Sequence, residues 1–326
     1  MRPPILAALD LGTNNCRLLV ARPARDGFDI LESFSRIVRL GEGVAACGIL
    51  SEAAMERTVA ALKVCARIMS RRGVGKARCV ATEACRRARN GPIFLERVRK
   101  ATGIDLEVLP HWEESRLALL GCLSLVDPRA RHVLMVDIGG GSSEVLWLDR
   151  DAAGRPELRA AISIPCGVVT LSETHGAAQS ADDFEAMVAD VEGQLRPHES
   201  KHVINARIAG QTVQMIGTSG TVTTLAALHL DLPRYDRARV DGLHIDFAAI
   251  NDVSLRLRGL DDAQRSVHPC IGPGRADLVV AGCAILEAIH RVWPTEGLRV
   301  ADRGVREGIL HVLNGRTLES ALATIG

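Results

Sequence analysis

Two stretches about 127 residues apart carry one device: an apolar run closing on Asp, an apolar residue and Gly, then small polar residues and a return to β-type sequence. The first is Ala7-Ala8-Leu9-Asp10-Leu11-Gly12-Thr13-Asn14-Asn15; the second is Leu134-Met135-Val136-Asp137-Ile138-Gly139-Gly140-Gly141-Ser142-Ser143-Glu144. Each reads as a strand, a tight turn and a second strand. Glycine lets backbone approach a ligand closely, and successive N–H groups in such a turn form an anion-binding concavity. The Asp at the strand end can hold a hydrated divalent cation. The chain is therefore expected to fold as two related lobes with a polyphosphate-type ligand between them.

The length, 326 residues, suits two domains. The expected boundary is Asp127-Pro128, giving lobes at 1–127 and 128–326, with the last helix, from about 303, able to pack back on the first lobe. A hydrophobic fraction of 47% with one Tyr, five Phe and three Trp means a core of Ala, Val, Leu and Ile, suited to α/β layers, and disfavours ligand binding by aromatic stacking. Residues 51–100 hold thirteen Lys/Arg against four Asp/Glu, although the whole chain is only +1. A locally basic face on a near-neutral chain suits a compact or linear polyanion better than duplex nucleic acid. Nine cysteines without a C-x-x-C pair read as small buried hydrophobes in a reducing compartment. With no signal-peptide pattern and no apolar run near eighteen residues, the protein is expected to be soluble and cytoplasmic, without a membrane partner.

Strands are expected at Ile5 to Asp10, Cys16 to Ala21 and Phe28 to Ile37, then a helix from a Ser51 cap to about Ser70. A strand Ala77 to Thr82, a polar turn through Asn90, a helix Pro92 to Thr102 and a strand Asp105 to Leu109 continue a β-α-β alternation, followed by a helix Trp112 to Leu125. From Val133 the strand-rich opening repeats, which suggests an internal duplication. Later come a helix Ala181 to Leu195, a strand Val213 to Ile216, and a third small-residue turn, Gly217-Thr218-Ser219-Gly220-Thr221, opening a helix. Such a helix start is an anion site, although no Gly-Lys-Ser/Thr closes it as a Walker loop.

Asp10, Asp137 and Glu144 are the candidate ligands for Mg2+ or Mn2+; the alternative is that the two Asp residues cap their own turns. Hydrolysis of a phosphoanhydride needs an oriented water and a base. Glu113 and Glu114, opening a helix, are the candidates, and only one can face a given side because neighbours on a helix lie about 100° apart. Arg86 can grip a phosphate with two hydrogen bonds. His268 reads as structural. The absence of H-E-x-x-H, G-x-S-x-G and cysteine zinc patterns disfavours zinc hydrolases and serine esterases.

Taken together, Asp10 to Asn15, Thr82-x-Ala84-x-Arg86-x-Ala88-x-Asn90, Glu113-Glu114-Ser115-Arg116-Leu117, Asp137 to Glu144, Gly217 to Thr221 and Asp302-Arg303-Gly304-Val305-Arg306-Glu307-Gly308-Ile309-Leu310 closely resemble the exopolyphosphatase and guanosine pentaphosphate phosphohydrolase family, in family order along nearly the whole chain. The resemblance implies an α/β fold of two ribonuclease H-like lobes, of the actin, sugar kinase and heat-shock ATPase superfamily, around an interdomain cleft. It implies Glu114 as the base that activates water, Asp137 and Glu144 near a Mg2+ site, and Thr13, Asn14, Arg86, Gly139, Gly140, Gly141 and Ser142 as phosphate-binding; Gly12, Gly217, Thr218, Ser219 and Gly220 join them from the turn reading. The implied activity is release of terminal phosphate from inorganic polyphosphate, from guanosine pentaphosphate, or from both, and a homodimer is one of the states allowed. Where the family commonly has Ser-Gly before the acidic pair, this chain has Pro110-His111-Trp112, and it resembles the short form without extra carboxy-terminal helical domains. A phosphotransferase of the same fold, or an alarmone sensor with weak turnover, stays open.

Overall fold

The apolar run before Asp10 forms a strand, β1 (Leu6–Leu11), which turns at Gly12 into β2 (Asn15–Ala24) and continues into β3 (Gly27–Ile37). These three pair antiparallel in sequence, while β1 pairs in parallel with β4 (Lys76–Ala81) and β4 with the two-residue β5 (Glu107–Val108). The sheet order is β3-β2-β1-β4-β5. Leu6, Ala7, Ala8 and Leu9 are all buried, so β1 is covered on both faces and reads as a continuous apolar run instead of an alternating one. The structure, a computed structural model, describes residues 3–25, 27–151, 154–176, 178 and 180–324.

Helix Glu52–Arg72 starts where Ser51 accepts a hydrogen bond from the Ala54 N–H at 3.2 Å and stops at Gly73, whose φ of 62° favours glycine. Helix Val305–Leu313 packs on β1, β2 and β4. It also crosses helix His111–Cys122 at close range. A Cβ at Gly308 would collide with the backbone of Leu117, and one at Gly121 with the backbone of Gly304. These two glycines let the backbones approach, and so fix the helix that carries Glu113 and Glu114.

The second sheet comprises β6 (His132–Ile138), β7 (Ser143–Arg150), β8 (Pro156–Ile164), β9 (Val213–Thr218), β10 (His244–Asp246) and β11 (Gly297–Ala301), in the order β10-β11-β9-β6-β7-β8. β6, β7 and β8 run antiparallel, and β6, β9 and β11 parallel. Setting aside the short edge strand β10, both sheets have the order 3-2-1-4-5 with the same strand senses. The chain is thus mixed α/β, with two ribonuclease H-like units. One consists of the chain up to Gly121 with Gly304–Ala321; the other includes Cys122–Arg303, and Asp127 and Pro128 lie within it.

Three readings from sequence are corrected. The stretch after β4 is a helix, Glu83–Arg87, where a polar turn is expected. Helix Ala181–His202 runs beyond Leu195 and through Pro197. Helix Val168–His175 and β10 have no counterpart in the sequence reading. Of the cysteines, all but Cys47 and Cys79 are buried.

Candidate functional site

The two Asp-x-Gly turns are closed by one and the same bond. Gly12 N–H donates to the Asn15 carbonyl at 2.9 Å, and Gly139 N–H to the Ser142 carbonyl at 2.9 Å. In each turn two of the carbonyls are occupied by a neighbouring segment. Thr13 C=O accepts from Gly41 N–H at 2.9 Å, and Asn14 C=O from Val38 and Arg39 at 2.8 and 3.0 Å. Gly139 C=O accepts from Val168 N–H at 3.0 Å, and Gly140 C=O from Val169 N–H at 2.8 Å. Among the described residues no backbone carbonyl accepts from the amides of Thr13, Asn14, Gly140 or Gly141. Groups that repel an anion are satisfied from behind while those that attract one are not, the arrangement of an anion nest. Each turn is backed by a glycine the sequence reading did not select: a Cβ at Gly41 would strike the Thr13 methyl, and one at Gly167 would lie 2.5 Å from the Gly140 oxygen and 2.6 Å from the Gly139 oxygen.

The carboxylates next to the turns differ in their company. Across the first sheet Asp10 faces Arg17 on β2 and Val80 on β4. Burial pushes the Asp10 carboxyl above its ordinary range, while Arg17 and Arg306 pull it down and Glu307 pushes it up. Across the second sheet Asp137 faces Glu144 on β7 and Thr218 on β9, and Glu144 faces Ser163 on β8. Glu144 is buried and accepts from the Ser163 hydroxyl at 3.0 Å. Two facing carboxylates destabilise a sheet unless something offsets their charge, and an all-oxygen pair suits a hard divalent cation. Asn14, only 7% exposed, has a buried amide oxygen with no hydrogen-bond partner.

In the third turn the four sequence candidates separate. Gly217 lies within β9, and a Cβ there would meet both Val222 methyls at 3.0 and 3.1 Å, so its smallness serves packing. The Thr218 hydroxyl donates to the Arg303 carbonyl at 2.6 Å. Ser219 adopts a φ of 116°, a conformation that L residues rarely take, and it caps helix Gly220–His229 by accepting from Thr221 N–H at 3.2 Å. Strain of this kind costs about 1–3 kcal/mol and collects at functional loops. Gly220 opens the helix.

Arg86 and Glu114 are brought together: both Nη atoms of Arg86 donate to Glu114 Oε2 at 3.2 Å. Arg86 is not poised alone, as the sequence suggests. Its Nε and Nη2 also donate to Glu83 Oε2 at 2.9 and 2.7 Å, its Nη1 to the Leu109 carbonyl, and its Nη2 lies 2.9 Å from His111 Nδ1. Glu83 is not selected from sequence because a buried acid in a five-residue helix gives no periodic signal, and His111 stands there only as a departure from the family pattern. The acidic pair divides: Glu113 bonds to Arg78, which also holds Glu107 through two bonds of 2.9 Å, whereas Glu114 turns to Arg86. Many of the basic side chains of residues 51–100 are themselves in ion pairs: Arg71 and Arg72 engage Glu32, Arg97 engages Glu52, and Arg99 and Lys100 engage Glu96.

Two ribonuclease H-like units, each opening on an Asp-Gly hairpin, define the class, an α/β protein of duplicated architecture. A family model described as the Ppx/GppA phosphatase family matches residues 19–316. Exopolyphosphatase 2 of Mycobacterium tuberculosis is 30% identical over 325 residues, covering 95% of this chain and 98% of that protein. Among solved structures, an exopolyphosphatase from Cytophaga hutchinsonii superposes with a TM-score of 0.86 at 25% identity over 96% of this chain and 99% of that one. The Aquifex aeolicus member of the Ppx/GppA family superposes with a TM-score of 0.76 at 29% identity, with 96% and 99% covered. The chain belongs to the Ppx/GppA phosphatase family. Among its described residues no helix is long and apolar enough to cross a membrane.

Proposed function

We propose that this chain is an exopolyphosphatase, hydrolysing the terminal phosphoanhydride of inorganic polyphosphate and releasing orthophosphate to water. The observation that carries this reading is the twice-built turn, with two of its carbonyls satisfied from behind in each copy and its amides available. In the reaction, the amides of Thr13, Asn14, Gly140 and Gly141 hold phosphate oxygens, Arg86 grips the terminal group, and Glu114 aims a water and takes its proton. Asp137 and Glu144 fit Mg2+ or Mn2+ best. Asp10, already faced by Arg17 and influenced by Arg306, has the weaker claim. A bound divalent cation supplies charge stabilisation to the phosphoryl group in flight. Guanosine pentaphosphate presents the same terminal group; the relatives named exopolyphosphatase favour the inorganic polymer.

The test is phosphate release from long polyphosphate, guanosine pentaphosphate and ATP, with Mg2+ and with a chelator. Release from polyphosphate without any acceptor, lost on chelation, is expected. Strict need for a sugar or ADP acceptor would make the chain a phosphotransferase, and tight nucleotide binding with negligible release would make it a sensor. In the same assay Asp137→Asn is expected to raise the Mg2+ concentration for half-maximal rate by about 10- to 100-fold, the usual scale for loss of a metal-site group. Asp10→Asn is expected to raise it by less than Asp137→Asn. A larger shift in Asp10→Asn would reverse the assignment.

A further inference from the structure

Arg86 is coordinated along two edges. The Nε/Nη2 edge is bound by Glu83 Oε2 at 2.9 and 2.7 Å, and the Nη1/Nη2 edge meets Glu114 Oε2 at 3.2 Å from each nitrogen. The two carboxylates differ in permanence. The Glu83 side chain is 6% exposed, it sits three residues from Arg86 on the same short helix, and Arg87 lies 3.9 Å from its other oxygen. Glu114 comes from another helix and makes the longer contacts. A guanidinium has five N–H donors in a fixed plane, so whatever fixes one edge aims the other.

We propose that Glu83 is a positioning residue, whose buried carboxylate anchors one edge of Arg86 so that the other edge can be exchanged between Glu114 and the terminal phosphoryl group of the substrate. With the substrate absent, Glu114 spans that edge, while the Leu109 carbonyl also accepts from Nη1 and His111 Nδ1 lies beside Nη2. An arriving phosphoryl group, offering two oxygens in matching geometry, takes it over. The Glu114 oxygen released from two N–H donors is then able to accept a proton from water. Binding the substrate thereby readies the base, and no covalent bond changes in the exchange. The inference rests on the exopolyphosphatase reading for the identity of the anion, but not for the clamp itself.

The experiment pairs calorimetric binding of inorganic phosphate with turnover of polyphosphate in the full chain. Glu83→Gln removes one negative charge beside Arg86 while keeping an acceptor oxygen, so phosphate should bind about fivefold more tightly by the lost repulsion. With the anchor weakened, kcat should fall by about tenfold through misplacement of the guanidinium. Tighter binding together with slower turnover is a split that simple loss of folded protein does not produce. Glu83→Asp keeps the charge but draws it back by one methylene, and is expected to lose about tenfold in kcat through the same misplacement, with phosphate affinity close to that of the wild type. Phosphate binding in Glu83→Gln as weak as wild type or weaker would overturn the proposal. So would wild-type turnover in Glu83→Asp, which keeps the test open should Glu83→Gln not fold. Failure of the wild-type protein to release phosphate from polyphosphate would count against the functional reading alone, because the binding shift is read without turnover.

Discussion

Glu114→Gln is expected to lower kcat for phosphate release by about 100- to 10,000-fold, the range for a lost general base. Each tenfold is about 1.4 kcal/mol of transition-state stabilisation. The variant keeps the volume of the side chain and an oxygen able to accept from Arg86, which Glu114 meets at 3.2 Å through both Nη atoms. What it loses is the capacity to take a proton. Substrate binding should therefore survive and tighten, with KM at or below the wild-type value, since the charge that competes with the phosphoryl group for Arg86 is removed. Glu113→Gln is the matched control. Glu113 is held by Arg78, beside Glu107, and its replacement should leave kcat near wild type. Steady-state phosphate release by the two variants, with calorimetric phosphate binding as a check on folding, settles the point. Turnover by Glu114→Gln within about threefold of wild type would remove Glu114 from the role of base.

Legibility in the sequence followed the strength of the local signal. The strand of Leu6 to Leu11 is unbroken and apolar because both its faces are buried, and Gly12 marks its end without ambiguity. Helix Glu52–Arg72 announces itself by a Ser51 cap, a buried stripe at Met55, Val59 and Leu62, and a left-handed Gly73. The duplication was readable because the same turn recurs, and the matched 3-2-1-4-5 order of the two sheets extends it from one motif to a whole unit. Edge strand β10, three residues long, has no periodicity to detect. Helix Ala181–His202 runs on past Leu195 because Pro197 removes only one i→i−4 bond, to the Gly193 carbonyl, while the turns on either side hold.

The candidate site was legible as a set of residue types and illegible as a set of partnerships. Arg86 and Glu114 were named separately, yet nothing in spacing says that a guanidinium meets a carboxylate 28 residues away. Glu83 follows Thr82 in a stretch that looks like a polar turn, and only the short helix Glu83–Arg87 brings it under Arg86. The two hairpins look alike in sequence, but strand register sets Arg17 opposite Asp10 and Glu144 opposite Asp137. One hairpin is thus internally balanced in charge and the other acidic. That asymmetry divides the proposed labour: the turn is shared by both units, and the residue facing its Asp differs between them.

The second large effect is expected at a residue that touches no substrate. Gly167 has φ of −119°, which any residue adopts, so Gly167→Ala carries no backbone penalty. Its consequence is steric. The new methyl would lie 2.5 Å from the Gly140 oxygen and 2.6 Å from the Gly139 oxygen, both of them backbone atoms that move only if the turn itself moves. Relief to ordinary contact needs a shift of about 1 Å, and a displacement of that size in a positioning element can cost about 100-fold in rate. The shift also stretches the bonds from Val168 N–H to Gly139 at 3.0 Å and from Val169 N–H to Gly140 at 2.8 Å. Those bonds keep the turn's carbonyls pointed away from an anion. Weakening them lets a carbonyl dipole rotate toward the phosphate, so binding and turnover should fall together, in contrast to Glu114→Gln. A kcat/KM for polyphosphate about 100-fold below wild type, with a melting temperature lowered by a few degrees, is the expected result. A soluble Gly167→Ala protein with wild-type kcat/KM would show that the Gly139–Ser142 turn does not hold the reacting phosphate.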